Sequence, residues 1–93
     1  MAAVFASNFT NHMIGIGHEI LGKTDLPYEL LEPLIRETVE KALSHDPYKV
    51  QTGPAIRDDK ETMDKHLSLI KRKTEKELYK LVSQNIKEKS EEL

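Results

Sequence analysis

Apolar residues recur through most of the chain at three- and four-residue intervals, the period of helices packed on one side. In the first segment Phe5, Phe9, Ile16 and Ile20, with Met13 between them, form one apolar stripe. A second stripe at the same period carries Asn8, Asn11, Gly15, His18 and Gly22, and is small and polar, a surface that a backbone or a ligand can approach closely. Gly22 to Asp25 predicts the stop, and Pro27 suits the first turn of the next helix. That second helix is predicted from about Pro27 to His45, with Leu31, Leu34, Ile35, Val39, Ala42 and Leu43 on its buried side. Glu37 and Lys41 make a favourable four-residue pair on its exposed side. Pro33 cannot donate a backbone hydrogen bond, which predicts either a kink or a short first turn followed by the main helix.

Asp46 to Arg57 is the one long irregular stretch, punctuated by Pro47 and Gly53-Pro54. Two further helices follow, each with a start signal. Asp58 with Glu61 is an acidic capping-box pair ahead of the Met63, Leu67, Ile70 stripe. Thr74 with Glu77 is the standard form, ahead of Leu78, Leu81, Val82 and Ile86. Beyond Lys87 the chain is charged and is expected to fray. With no internal repeat and no strand alternation, the fold class is all-α: four to five helices with a long first one.

Composition sharpens the reading of the first helix. Met1 to His18 contains no Lys, Arg, Asp or Glu, in a chain that is 32% charged. Such a helix is covered on most sides, and a chain of 93 residues, one domain at most, has little material to cover it with. It is expected to meet a second copy or a domain outside this chain. The apolar start lacks the basic leader of a signal peptide. It is also broken by Ser7, Asn8, Thr10, Asn11 and His12, short of the roughly 20 apolar residues of a membrane span. The expected compartment is therefore cytoplasmic, with no membrane partner. Absence of Cys excludes disulfides and thiolate metal sites. The net charge of −2, with no basic stripe among aromatics, gives no case for nucleic acid.

Three motif matches lose on their context. Gly17 to Thr24 (GHEILGKT) fits the phosphate-loop pattern letter for letter, but that chemistry needs a strand, a flexible loop and a following helix. Ile20 and Leu21 instead continue the helical stripe, so the segment reads as a helix C-terminus. His18-Glu19 starts a zinc motif that fails at Gly22, and His12, His18, His45 and His66 have no helical-turn spacing, so no metal is expected. Asn8-Phe9-Thr10 is a glycosylation acceptor by pattern only, without a secretory signal.

Two clusters rise above this background. Ser7, Asn8, Asn11 and His12 place four hydrogen-bonding side chains within two turns of an otherwise apolar helix. Burial without partners would cost about 1–3 kcal/mol each, so they face water, one another at a subunit interface, or a ligand. Gln51 to Arg57 (QTGPAIR), followed by Asp58 and Asp59, is a Gly-Pro turn with a Thr hydroxyl and an Arg before a helix, either an anion-facing loop or an ordinary connector.

At these clusters the chain resembles a known family. AVFASNFTNHM, then LxxPLIxET, QTGPAIRDD and xxHLxLI, resemble the C-terminal helical domain, of unknown function, in a family of NADP-dependent oxidoreductases. That domain is distantly similar to those of pyrroline-5-carboxylate reductase and the 6-phosphogluconate dehydrogenase superfamily. The resemblance runs from about Ala2 to Ile86 and implies a 6-phosphogluconate-dehydrogenase-like helical domain in an intertwined homodimer, with the first helix at its centre. It implies that NADP and a small-molecule substrate lie between the helical domain and an N-terminal Rossmann domain. Asn8, Asn11 and His12, with Ser7 beside them, would then orient a polar substrate. Thr52 and Arg57, on the Gly53-Pro54 turn, would hold an anionic group, and His66 would form a nearby polar wall.

This chain has no G-x-G-x-x-G after a strand and no acidic ribose reader. The resemblance therefore implies an excised or truncated domain, residues 1–93, that neither binds NADP nor transfers hydride alone. It also lacks the Lys-x-x-Asn pair of the 6-phosphogluconate dehydrogenase branch: Asn8 stands three before Asn11, and Phe5 three before Asn8. No catalytic residue is assigned, with His12 as a candidate substitute for the Lys. The competing reading is a stand-alone helical homo-oligomer or protein-interaction module, since a large apolar face invites association. A phosphate-loop nucleotide hydrolase is a distant third.

Overall fold

A computed structural model describes all residues, 1–93, and is all-α, with four α-helices and no strand. The chain divides into two compact units, Met1–Glu40 and Lys41–Leu93, each described by itself.

In the first unit a helix of π winding over Val4–Phe9 runs without a break into the α-helix Thr10–Leu21 (α1). The predicted stop holds. The Gly22 N–H bonds the His18 carbonyl, and the Thr24 hydroxyl donates to the Leu21 carbonyl at 2.6 Å. Extended Pro27 then leads into a single 3-10 turn, Tyr28–Leu30, and the helix Leu31–Ser44 (α2). Pro33 falls in the first turn of α2, where no N–H is needed, so a short turn ahead of the main helix replaces a kink. Arg36 and Glu32 pair along its exposed side at 2.8 Å.

The predicted buried side of α2 is only partly covered. Leu31, Ile35 and Ala42 are half-buried, whereas Leu34 and Val39 are exposed and Leu43 is 83% exposed. A helix turns only one ridge of side chains toward any one neighbour, and a stripe wider than that ridge stays bare. The same holds for the first helix, whose Phe5 and Phe9 meet edge to face at 5.0 Å yet stay 65% and 47% exposed.

In the second unit the Asp46 carboxylate accepts the Tyr48 N–H and starts a 3-10 turn, Pro47–Val50. The stretch predicted as irregular, Asp46 to Arg57, thus opens with a 3-10 turn and is irregular only from Gln51 onward. Gly53 has φ of +105°, a conformation open to glycine but not to ordinary side chains. Ala55, 6% exposed, is the only buried residue of the chain. The turn closes with the Asp59 N–H on the Pro54 carbonyl at 2.9 Å, and the helices Lys60–Leu69 (α3) and Lys73–Glu91 (α4) come after it.

Three expectations change here. The cap of α3 is Asp59, not Asp58: its carboxylate accepts the Thr62 N–H at 3.2 Å and the Thr62 hydroxyl at 2.8 Å. Asp58 is turned away by its left-handed φ of 57° and reaches Lys87 instead, at 3.8 Å. The helix α4 begins at Lys73 with no side-chain cap, so Thr74 lies inside its first turn. The extended Ile70 and Arg72 end the short connection two residues sooner than the capping pattern implied. Nor does α4 fray after Lys87. It stays helical to Glu91, tied by the Lys87–Asp58 pair and by Lys89 above the Tyr48 ring at 5.6 Å.

Candidate functional site

The candidate residues fall into two groups, one in each unit. In the first unit, Ser7 and Asn8 lie in the π-wound segment, and Asn11 and His12 in the first turn of α1. All four side chains are exposed, and none makes a hydrogen bond within the chain. Winding of the π kind is rare and is found often at functional sites, because the wider turn re-aims the side chains it carries. Here it carries the start of the one polar cluster on a charge-free helix. Beside that cluster, Phe5, Phe9 and Met13 join Leu31, Leu34 and Val39 in an apolar groove of about 430 Å³.

Farther along the same helix His18 stacks on Tyr28, with ring centroids 5.1 Å apart at 29°. Gly22 permits this: a Cβ there would stand 2.8 Å from the Tyr28 hydroxyl. The stacked pair borders a cleft of about 550 Å³ with Glu29, Glu32 and Arg36 on its rim. Glu32 raises the Arg36 pKa further by hydrogen bond and charge, so that guanidinium is a fixed cation engaged with its own helix.

The phosphate-loop lookalike is settled by this geometry. Gly17 to Leu21 is helix and Gly22 its cap, so there is no loop of free amides to cradle a phosphate. The chain has no strand and no Gly-rich strand-to-helix turn of the dinucleotide-binding kind. No group of three or more His, Asp and Glu side chains is placed to hold a metal ion, and no helix is long and apolar enough to cross a membrane.

In the second unit, Thr52, Gly53, Pro54 and Arg57 share the loop before α3. Arg57, 61% exposed, lies 3.7 Å from Asp59, so its charge is partly engaged by the residue that caps the helix. The Asp59 carboxyl is held below the usual range, first by the Thr62 hydroxyl, then by the Thr62 N–H and by Arg57. His66 sits on α3, where its Nδ1 is 2.8 Å from the Tyr79 hydroxyl of α4. Burial first, and the Asp59 charge second, push the Tyr79 pKa up. Tyr79 is therefore a protonated hydrogen-bonding partner and not a base, and His66 serves as a bridge between two helices.

Sequence reasoning passed over Tyr79, Tyr48, Asn85 and Lys89. The loop and α4 bring Tyr48, Asn85 and Lys89 to one small pocket, and α3 and α4 bring Tyr79 to His66. Only the four-residue interval from Asn85 to Lys89 was visible as a helical neighbour relation.

Comparison with known proteins adds a family. The profile of the domain of unknown function DUF2520 matches residues 1–86. A crystal structure from Bacteroides fragilis, of a protein assigned as an NADP oxidoreductase, superposes with a TM-score of 0.90 at 43% sequence identity. The match covers 95% of this chain and 35% of that one, so the chain spans about a third of the length of the protein it resembles. Among curated proteins none matches. The all-helical fold is thus shared with part of a larger protein, and the chain belongs to the DUF2520 family.

Proposed function

We propose that this chain is the C-terminal dimerisation and substrate-cleft domain of a two-domain NADP-dependent oxidoreductase, inactive in isolation. The observation that carries the reading is the 43% identity over 95% of this chain to 35% of a protein assigned as an NADP oxidoreductase. In that role a separate domain supplies the nicotinamide and its hydride. The first unit offers the hydrogen-bonding set Ser7, Asn8, Asn11 and His12 to a polar substrate, and the second offers Thr52 and Arg57 on a Gly53-Pro54 turn to an anionic group. His66, bonded to Tyr79, is a positioning residue in this scheme. Self-association through the first helix is supported by its lack of charge and by its uncovered Phe5, Phe9, Met13 and Ile20.

The test is the size and activity of the native polypeptide that carries the Ser7–His12 segment in its source cells. A second domain brings it to about 25–30 kDa, and that species binds NADPH, whereas the 93-residue chain alone does not. A native species of 10.7 kDa sinks the reading. The stand-alone homo-oligomer or interaction module would then take its place, a reading favoured by the same uncovered apolar side chains.

A further inference from the structure

We propose that the small pocket where the Tyr48 turn meets the last turns of α4 is a binding site for a small oxyanion, a carboxylate or a phosphate. Tyr48, Gln51, Asn85 and Lys89 line it, over an apolar floor that includes Ile56 and Ile86. Its volume is about 70 Å³. That exceeds the roughly 10–15 Å³ needed for one water and falls far below the roughly 300 Å³ at which cofactor and drug-sized sites begin. The space suits one small polar group.

Lys89 decides the sign of that group. Arg36, Arg57, Lys65, Lys73 and Lys87 each have a carboxylate within 4.0 Å. Lys89, like several other lysines, has none, but it is half-buried and is the cation that lines this pocket. Its ammonium sits 5.6 Å from the Tyr48 ring centroid, where the ring face holds the charge but takes up none of its N–H donors in a conventional hydrogen bond. One turn earlier on the same face, Asn85 carries an amide with no partner in the chain. A cation and a free amide over an apolar floor match an oxyanion, which needs one charge and several donors, and the floor strengthens the attraction by excluding water. The negative end of the α4 dipole opposes the anion, which puts the expected affinity in the millimolar range.

The site lies within the second unit and does not depend on the oxidoreductase reading. Lys89 and Ser90, also on its wall, lie beyond residue 86, where the family match ends.

The test titrates the 93-residue chain with sodium phosphate, and separately with sodium acetate, at an ionic strength held constant with sodium chloride, followed by 1H–15N NMR. Saturable shifts of the Asn85 side-chain amide and the Lys89 backbone amide are expected. Saturation by phosphate alone identifies a phosphoryl ligand, and saturation by acetate identifies a carboxylate. Lys89→Met should weaken binding at least tenfold, Asn85→Leu should weaken it severalfold, and Lys23→Met, in the other unit, should leave it within twofold. Shifts that chloride reproduces, that fail to saturate, or that survive in both Lys89→Met and Asn85→Leu overturn the site. So does their loss in Arg57→Met alone, which would move the anion to the Thr52–Arg57 loop.

Discussion

Asp59 shows how much a single carboxylate organises in the second unit. It caps α3 through both the N–H and the hydroxyl of Thr62, faces Arg57 at 3.7 Å, and by its charge helps to keep Tyr79 protonated. Because its folded pKa lies below the ordinary carboxylate value, its contribution is present above the unfolded pKa near 3.9 and is lost as pH falls through the folded value. Asp59→Ala is expected to lower Tm by roughly 4–8 °C at neutral pH, the loss of one helix cap in a small domain. The gap from the parent chain should narrow as pH falls below the ordinary carboxylate value and on through the lowered folded one, where the parent carboxylate is itself protonated. Thermal unfolding followed by circular dichroism across that range checks both, and a gap that stays constant with pH would show that the charge plays no part. Capping at this position was only half legible in the sequence. Consecutive acids at 58 and 59 both fit a start signal, and the choice between them is made by the Pro54–Asp59 backbone bond, which no local pattern encodes.

At the scale of elements, the two glycines Gly15 and Gly22 are predicted to respond in opposite directions. Gly15 lies within α1 with nothing within 4 Å of an added Cβ, so Gly15→Ala should stabilise by about 0.5–1 kcal/mol through the unfolded chain's lost freedom. Gly22→Ala puts a Cβ 2.8 Å from the Tyr28 hydroxyl and 3.2 Å from the His18 carbonyl. The ring must swing away, and the His18–Tyr28 stack is expected to disappear, read as the loss of mutual ring-current shifts in the NMR spectrum. Persistence of those shifts would mean that the helix end can yield instead. The end of α1 and the short turn before α2 were legible, since Gly22, Thr24, Pro27 and Pro33 act on their immediate neighbours. So were the Ser7–His12 cluster and the Thr52–Arg57 loop, whose members are near in sequence. The His66–Tyr79 bond and the Lys89–Tyr48 contact were not, because each joins residues brought together only by the turns between helices.

For the whole molecule, the uncovered apolar side chains of the first unit make the strongest demand. Phe5→Glu combined with Phe9→Glu puts two charges on the charge-free helix and is expected to shift the chain to a lower mass in sedimentation equilibrium, with helix content retained. An unchanged mass would remove the first helix from any self-association. Ala55 bears on the same question from inside, as the single buried residue, with no large side chain fully enclosed. With the other apolar side chains half-buried or exposed, the margin over the entropy of ordering a chain of 93 residues is small. A covering of the bare faces, by a second copy or by a neighbouring domain, would add the burial that the interior lacks. For a chain covered by its own copies, mass action takes over part of the work usually done by a core: the melting midpoint climbs with concentration, and dilution alone acts as a denaturant.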